Sequence, residues 1–198
     1  MKTVLLTGPI GSGKSAVSAL LRDRGIPVYD SDARTKRIYD RRPALVRRLE
    51  QVLGLPLRTP DGKLDRARLA ARIFADEAAR ESLEAIVYPA VRQDFLRWRE
   101  KQQGVPFVVL ESAVALAKPL FDSVWDVAVL VTAPEAVRLQ RVMERDGMED
   151  AAVRARMAAQ QIPWERAQVV LENNGTPEAL SQAVEHTFFD KNSYLCKL

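Results

Sequence analysis

The feature that most constrains the fold of this chain is a glycine-rich octapeptide near its start, Gly8-Pro9-Ile10-Gly11-Ser12-Gly13-Lys14-Ser15. It fits the pattern G-x-x-x-x-G-K-[ST], in which glycines let successive backbone N–H groups turn inward around an anion. The apolar run at 4–7 predicts a buried strand before the loop, and apolar residues at helical spacing predict a helix over 15–24. A strand, a phosphate loop and a helix in this order predict a nucleoside triphosphate site, which we expect to hold ATP.

Lys14 and Ser15 carry the chemistry expected of this loop. The Lys14 ammonium would reach the β- and γ-phosphates, and the Ser15 hydroxyl would ligate Mg²⁺. We therefore expect ATP and Mg²⁺ to be bound through Gly8, Ile10, Gly11, Ser12, Gly13, Lys14 and Ser15.

The remaining apolar runs predict an α/β fold with a parallel sheet flanked by helices. The strand–helix–strand order at the start of the chain favours parallel pairing. Further strands are predicted at 26–29, 107–110, 127–131 and 169–171. Helices are predicted at 134–145, over the polar stretch 146–165 and beyond 176.

Residues 33–103 differ from this pattern and predict a helical insertion. They are rich in Arg, Ala, Leu and Glu and lack the apolar runs of the sheet. Turn-forming residues predict breaks between the helices, among them Pro43, Gly54 and Pro89.

Composition and length narrow the function classes. The 198 residues contain no Asn-Lys-x-Asp guanine signature, and the chain is short for a motor, which leaves a phosphoryl transferase. A net charge of +4, without a basic block interleaved with aromatics, does not favour binding to nucleic acid.

No apolar run approaches the ~20 residues of a membrane span, and the single cysteine, Cys196, excludes an internal disulfide. We expect a cytoplasmic protein that binds neither nucleic acid nor membranes.

Two aspartates, Asp30 and Asp32, follow the second predicted strand, at the sheet edge where ligands bind. A carboxylate at this edge can accept a proton from an attacking hydroxyl or help to orient Mg²⁺. The alternative is that one of the two caps a helix beginning at Ala33. We assign the catalytic role to Asp32 and a structural one to Asp30.

Three arginines on the helix predicted at 134–145 are candidates for phosphate binding. Arg138, Arg141 and Arg145 recur at three and four residues and so share one helix face. Guanidinium groups suit phosphate oxygens because they present paired donors. The alternative is a solvated basic face that Glu144 and Asp146 neutralise.

Several motifs make this interpretation more specific. The loop is followed by Gly25-Ile26-x-Val28-x-Asp30-x-Asp32 and then by Leu64-Asp65-Arg66-x-x-Leu69 with Ile73-Phe74. Further along come Leu83-Glu84-x-Ile86, the three arginines, Gln160 and Asn173-Asn174-Gly175. In this order, over nearly the whole chain except its last ten residues, the sequence resembles the dephospho-CoA kinase family.

The resemblance implies a single kinase domain over 1–198, with a phosphate-loop core, a helical substrate-binding insertion at about 33–103 and a small helical lid at about 141–165. In that family ATP phosphorylates the ribose 3′-hydroxyl of dephospho-CoA, the last step of coenzyme A synthesis. The resemblance implies that Lys14 and Asp32 are catalytic, with Asp32 as the base. It also implies that Arg66 helps to bind the acceptor, and that Arg141 and Arg145 bind the triphosphate. We expect ATP and dephospho-CoA as ligands, and a monomer or weak homo-oligomer.

The chain departs from the usual family pattern at two places. Tyr88-Pro89 stands where the family usually has His-Pro, and Ala115-Leu116-Ala117 stands where it usually has Leu-Phe-Glu. We expect Tyr88 to donate a hydrogen bond in the acceptor site, and Glu111 ends an apolar run in the manner of a Walker-B acid. Two other functions stay open: another small-molecule kinase, such as a nucleoside or nucleotide kinase, and a non-catalytic nucleotide switch.

Overall fold

The computed structural model describes residues 1–193 and Leu195. The chain divides into two compact units, Met1–Asp30 with Arg99–Leu198, and Ser31–Trp98. The helices are, in chain order, α1 Lys14–Asp23, α2 Ser31–Arg41, α3 Pro43–Leu53, α4 Arg66–Ala75, α5 Glu77–Arg99, α6 Glu135–Asp146, α7 Asp150–Ala158 and α8 Pro177–Phe188. Among the described residues, no helix is both long and apolar enough to cross a membrane.

A five-stranded sheet forms the centre of the first unit. Its strands are β1 Lys2–Thr7, β2 Val28–Asp30, β3 Phe107–Glu111, β4 Val127–Thr132 and β5 Val169–Glu172. They lie in the order β2-β3-β1-β4-β5, and all neighbours are parallel. The predicted parallel sheet is confirmed. β1 is buried along almost its whole length, as expected for a central strand of a sheet covered on both faces.

The carboxyl ends of the parallel strands place several site residues at one edge of the sheet. β1 leads directly into the glycine loop, and Leu6 of β1 pairs in register with Glu111 at the end of β3. Asp30, at the end of β2, pairs with the same Glu111. Ligands of open α/β sheets bind outside the carboxyl ends of the strands, where the strand order reverses. Here the reversal lies between the adjacent strands β1 and β3, since β1 connects to β2 on one side and β3 to β4 on the other.

Two apolar clusters hold the helices of the first unit. The larger joins the sheet to α1 and α8, through residues such as Leu6, Leu21 and Phe188. The smaller joins α6 to α7 through Leu139, Val142 and Val153, with Ile10 of the glycine loop packed against it. The side chain of Ile10 therefore ties the loop to the α6–α7 pair.

The second unit is built from α2 to α5, and its longest helix corrects one prediction. Pro89 lies inside α5, so the predicted helix break at this residue is wrong. Leu83, Val87, Val91 and Phe95 are buried at a spacing of four residues on both sides of the proline. Burial contributes about 1.5–3 kcal/mol for each large side chain, and the four together outweigh the roughly 3 kcal/mol cost of an interior proline.

Candidate active site

The glycine loop has a backbone shape that only glycine fits at three positions. Gly8, Gly11 and Gly13 have φ angles of 150°, 79° and 97°, which L side chains rarely adopt. A Cβ atom would overlap the carbonyl oxygen of Val131 at Gly8, the backbone of Arg138 at Gly11 and the amide of Asn173 at Gly13. The glycines of the motif are therefore required for close packing as well as for the turn.

The loop and the start of α1 together present donors to an anion. Gly13 is the N-cap residue of α1 and has no side chain that could cap this helix end. Its first amides are thus placed to bind phosphate. The Lys14 ammonium donates to the carbonyl oxygens of Gly8 and Pro9, at 2.7 and 3.2 Å. The ammonium is therefore held directly over the loop.

A buried carboxylate lies beside this donor set. Glu111 is 9% exposed, and its Oε1 accepts a hydrogen bond from Ser15 Oγ at 3.3 Å. Its Oε2 accepts from Ser18 Oγ at 2.7 Å. Ser18 was not predicted as a site residue from the sequence, although its position three residues after Ser15 places both hydroxyls on one face of α1. Ser15 and Glu111 bring two hard oxygen donors together at the end of the loop.

Arg141 also reaches the glycine loop. Its Nη1 donates to the backbone oxygen of Asn173 at 3.1 Å, and its Nη2 to Asn173 Oδ1 at 3.5 Å. Asn173 Nδ2 donates in turn to the carbonyl oxygen of Ser12 at 2.9 Å. The Arg141 Nη1 atom lies 3.9 Å from the position that a Cβ on Gly13 would occupy. A guanidinium is thus placed beside the N-terminal end of α1.

The other two arginines of α6 have different surroundings. Arg138 donates from Nε to the carbonyl oxygen of Ala133 at 3.1 Å, and makes a long 3.5 Å contact from Nη1 to that of Ile10. Arg145 is 61% exposed and pairs with Asp146. It donates to both carboxylate oxygens of that residue, at 2.8 and 2.9 Å. This pair lowers the pKa of Asp146 and matches the neutralised surface face that the sequence left as an alternative.

Gln160, in the segment after α7, makes a second contact with the loop. Its Oε1 accepts a hydrogen bond from the backbone N–H of Ile10 at 2.7 Å. From the sequence, Gln160 is predicted only as one of the residues that carry the family resemblance. The segment expected to form a lid therefore contacts the loop through one side-chain amide as well as through the apolar cluster around Ile10.

In the second unit, Arg66 and Tyr88 have defined surroundings. Asp65 caps α4 by accepting from the Arg68 N–H at 2.9 Å, which makes Arg66 the first residue of that helix. Arg66 lines a cavity of about 680 Å³. Tyr88 donates its hydroxyl to Glu84 Oε1 at 3.1 Å. Burial raises the pKa of Tyr88, which keeps the phenol protonated and able to donate.

Asp32 lies in the first turn of α2. The helix begins at Ser31, directly after β2 and two residues before Ala33, where the capping alternative placed its start. Asp32 is therefore not the residue that precedes the helix. A carboxylate in the first turn is still favoured by the helix dipole, and Asp32 is exposed to solvent.

Comparison with known proteins identifies the family. The model of the family described as CoaE, dephospho-CoA kinase, matches residues 2–178 of the chain.

This chain belongs to the dephospho-CoA kinase family.

Relatives and solved structures that match almost the whole chain support this assignment. A protein of Anaeromyxobacter dehalogenans named dephospho-CoA kinase is 39% identical over 199 residues, which cover 96% of this chain and 92% of that protein. Protein TT1252 from Thermus thermophilus has a crystal structure with a TM-score of 0.79 and 36% identity, covering 93% of this chain and 94% of that one. Dephospho-CoA kinase from Campylobacter jejuni, at 21% identity, shares the fold with a TM-score of 0.64 over 93% and 94% of the two chains.

Proposed function

We propose that this member of the dephospho-CoA kinase family transfers the γ-phosphoryl group of ATP to the ribose 3′-hydroxyl of dephospho-CoA, giving coenzyme A and ADP. The observation that carries the proposal is the family match over residues 2–178. It includes a complete phosphate loop in which three glycines are closely packed. ATP use is a property of the family, and the loop geometry supplies the donors that a triphosphate needs.

In this proposal, residues of the first unit hold the triphosphate. The amides at the start of α1 bind phosphate oxygens, and Lys14 exchanges its carbonyl contacts for the β- and γ-phosphates. Arg141 adds a planar pair of donors that can grip two oxygens. Arg145 joins the triphosphate only by leaving Asp146, to which it now donates two hydrogen bonds. These groups stabilise the negative charge of the transferring phosphoryl group.

The oxygen donors beside the loop fit a magnesium ion. Within the described residues no three acidic, histidine or cysteine side chains gather into a metal cluster, but magnesium in kinases needs few protein ligands. It is usually held by one or two side chains together with substrate phosphates and water. Ser15 and Glu111, whose side chains are 3.3 Å apart, would hold it. When bound, the ion neutralises phosphate charge.

Asp32 is the proposed general base. As the oxygen of the 3′-hydroxyl forms a bond to the γ-phosphorus, the bond to the β,γ-bridging oxygen breaks and leaves ADP. The proton of the hydroxyl passes to the Asp32 carboxylate, a role consistent with its exposed position in the first turn of α2.

The acceptor is assigned to the helical second unit. Arg66 lines the 680 Å³ cavity there together with Arg58 and Lys63, and with apolar residues such as Val46 and Leu64. Asp40 and Asp61 also line it, and they pair with Arg66 at 3.6 Å and with Lys63 at 2.9 Å. This mixture suits a ligand with phosphate groups and an uncharged arm, as dephospho-CoA has. We assign the lid role to residues 141–165, which would exclude water and so suppress ATP hydrolysis.

A coupled assay of ADP release tests the proposal. With ATP present, we expect turnover with dephospho-CoA and none with nucleosides, nucleoside monophosphates or water alone. Turnover with a nucleoside acceptor but not with dephospho-CoA contradicts the proposed substrate. Tight ATP binding without acceptor-dependent ADP release would instead indicate a nucleotide switch.

Asp32→Asn tests the base. The variant keeps the shape of the side chain and should lower kcat by about 10²–10⁴-fold, with ATP affinity nearly unchanged. Asp23→Asn, an exposed aspartate at the end of α1, is the matched control and should leave kcat unchanged. Full activity of Asp32→Asn with a normal Tm contradicts the catalytic assignment.

A further inference from the structure

Asn173, the residue after β5, makes a hydrogen bond with each of its polar groups. It is 6% exposed, and its backbone N–H donates to the carbonyl oxygen of Thr132 at 2.7 Å. Its backbone oxygen and Oδ1 accept from Arg141, at 3.1 and 3.5 Å. Its Nδ2 donates to the carbonyl oxygen of Ser12 at 2.9 Å. Asn173 is therefore fixed by the sheet and joins α6 to the glycine loop.

An asparagine is the residue type that suits both side-chain contacts. One end of the amide donates and the other accepts, so a single side chain can bind a carbonyl group and a guanidinium at once. An aspartate offers only acceptors and would repel the Ser12 oxygen. An alanine offers neither group and leaves the buried Ser12 carbonyl without this partner.

The space around Gly13 shows how closely these parts are fitted. A Cβ on Gly13 would overlap the Asn173 amide and would lie 3.9 Å from Arg141 Nη1. The Asn173 amide is therefore packed closely against the loop, and the Arg141 guanidinium lies next to both.

We propose that Asn173 is a positioning residue for ATP, which acts by holding Arg141 at a fixed distance from the glycine loop. The guanidinium and the loop amides then face the same phosphate groups before ATP arrives. An arginine side chain loses considerable rotamer freedom when it is fixed, and ordering it in advance removes that cost from binding. The inference rests on the proposed ATP site, and it assigns to Asn173 no contact with ATP itself.

The test measures the dissociation constant of ATP by calorimetric titration in the absence of any acceptor. Asn173→Ala should weaken ATP binding about tenfold, the effect expected when a hydrogen bond to a charged group is lost. The loss is partial because the backbone contact of residue 173 with Arg141 remains. The matched control is the neighbouring Asn174→Ala. Asn174 is exposed and contacts Glu172 at 3.4 Å, and its variant should bind ATP within twofold of the parent.

A double-mutant cycle with Arg141→Ala separates positioning from general destabilisation. If Asn173 acts through Arg141, Asn173→Ala should change ATP affinity by less than twofold once Arg141 has been removed. An equal tenfold loss in both backgrounds overturns the inference, because Asn173 would then act without Arg141.

Asn173→Leu keeps the test decisive if the alanine variant does not fold. A packing role predicts that this uncharged variant of similar size binds ATP like the parent. The positioning role predicts a loss of about tenfold, since leucine neither donates to Ser12 nor accepts from Arg141. Parent-like binding by Asn173→Leu overturns the inference. Failure of the parent protein itself to bind ATP would refute the proposed function instead.

Discussion

Gly13→Ala tests whether the phosphate loop is rigidly fitted against Asn173. The substitution places an L residue at a φ of 97°, which costs roughly 1–2 kcal/mol. Its Cβ also overlaps Asn173 Nδ2, so the hydrogen bond from that amide to Ser12 must break, at a cost of about 0.5–1.5 kcal/mol. Alanine restricts the unfolded chain and returns about 0.4–1 kcal/mol. The variant should therefore lose about 2 kcal/mol of stability.

Gly25→Ala is the control for the backbone contribution alone. Gly25 lies beyond the other end of α1 with a φ of 75°, and nothing lies within 4 Å of the position of its added Cβ. It should lose about 1 kcal/mol and bind ATP normally. Urea denaturation followed by circular dichroism measures both losses, and ATP titration measures affinity. Equal losses of stability in the two variants, with ATP affinity retained by Gly13→Ala, would refute the close fit of loop and amide.

Three further predictions concern charged and titratable groups. Lys14→Ala should abolish activity in the ADP-release assay while the protein stays folded, because it removes the ammonium that lies over the loop and would neutralise phosphate charge; activity near that of the parent would exclude its role. Arg141→Lys should raise the ATP dissociation constant more than Arg145→Lys in parallel titrations, since lysine lacks the planar fork and Arg145 is already paired with Asp146; the reverse order would assign the phosphate contact to Arg145. Burial raises the pKa of Tyr39 to about 12, so the folded state keeps the phenol proton longer than the unfolded state does. Stability should be full below pH 10 and fall by about 2–3 kcal/mol towards pH 12. Urea titrations across this range should show a larger loss in the parent than in Tyr39→Phe, which keeps the buried Tyr88; equal losses in the two proteins would contradict the assignment to Tyr39.

The parts of the fold that the sequence predicted well are those specified by neighbouring residues. The strand before the glycine loop, the loop and α1 form one continuous segment, and each has its own local signal. The other strands are short apolar runs, which is the sequence pattern typical of strands buried on both faces of a sheet. The predicted break at Pro89 was wrong because it considered only the low helix propensity of proline, and not the apolar spacing that continues on both sides of it. Four buried side chains along α5 stabilise the helix on both sides of the proline.

The contacts that complete the site join residues far apart in the chain, and spacing alone does not predict them. Asn173 binds a carbonyl group 161 positions earlier, and Gln160 binds an amide 150 positions earlier. The helix spacing of Arg141 and Arg145 places both on one face, but it does not distinguish the one beside the loop from the one paired with Asp146. That distinction depends on where β5 ends, because the end of β5 places Asn173 opposite Arg141.

The buried carboxylate of Glu111 places a negative charge beside the loop that, in the proposed function, binds the anionic triphosphate. A carboxylate beside a triphosphate is repelled by it, and burial makes the repulsion stronger because water no longer screens it. Glu111 nevertheless lies at the carboxyl end of β3, in register with Leu6 next to the loop, and two hydroxyls of α1 hold both of its oxygens. A cation held by Ser15 and Glu111 would make this position favourable, since it would attract both the carboxylate and the phosphates. Lys14, over the loop, and Arg141, beside Gly13, carry further positive charge. In the proposed function the arrangement would therefore favour the metal complex of the nucleotide over the free triphosphate, because only the complex presents a positive group to Glu111.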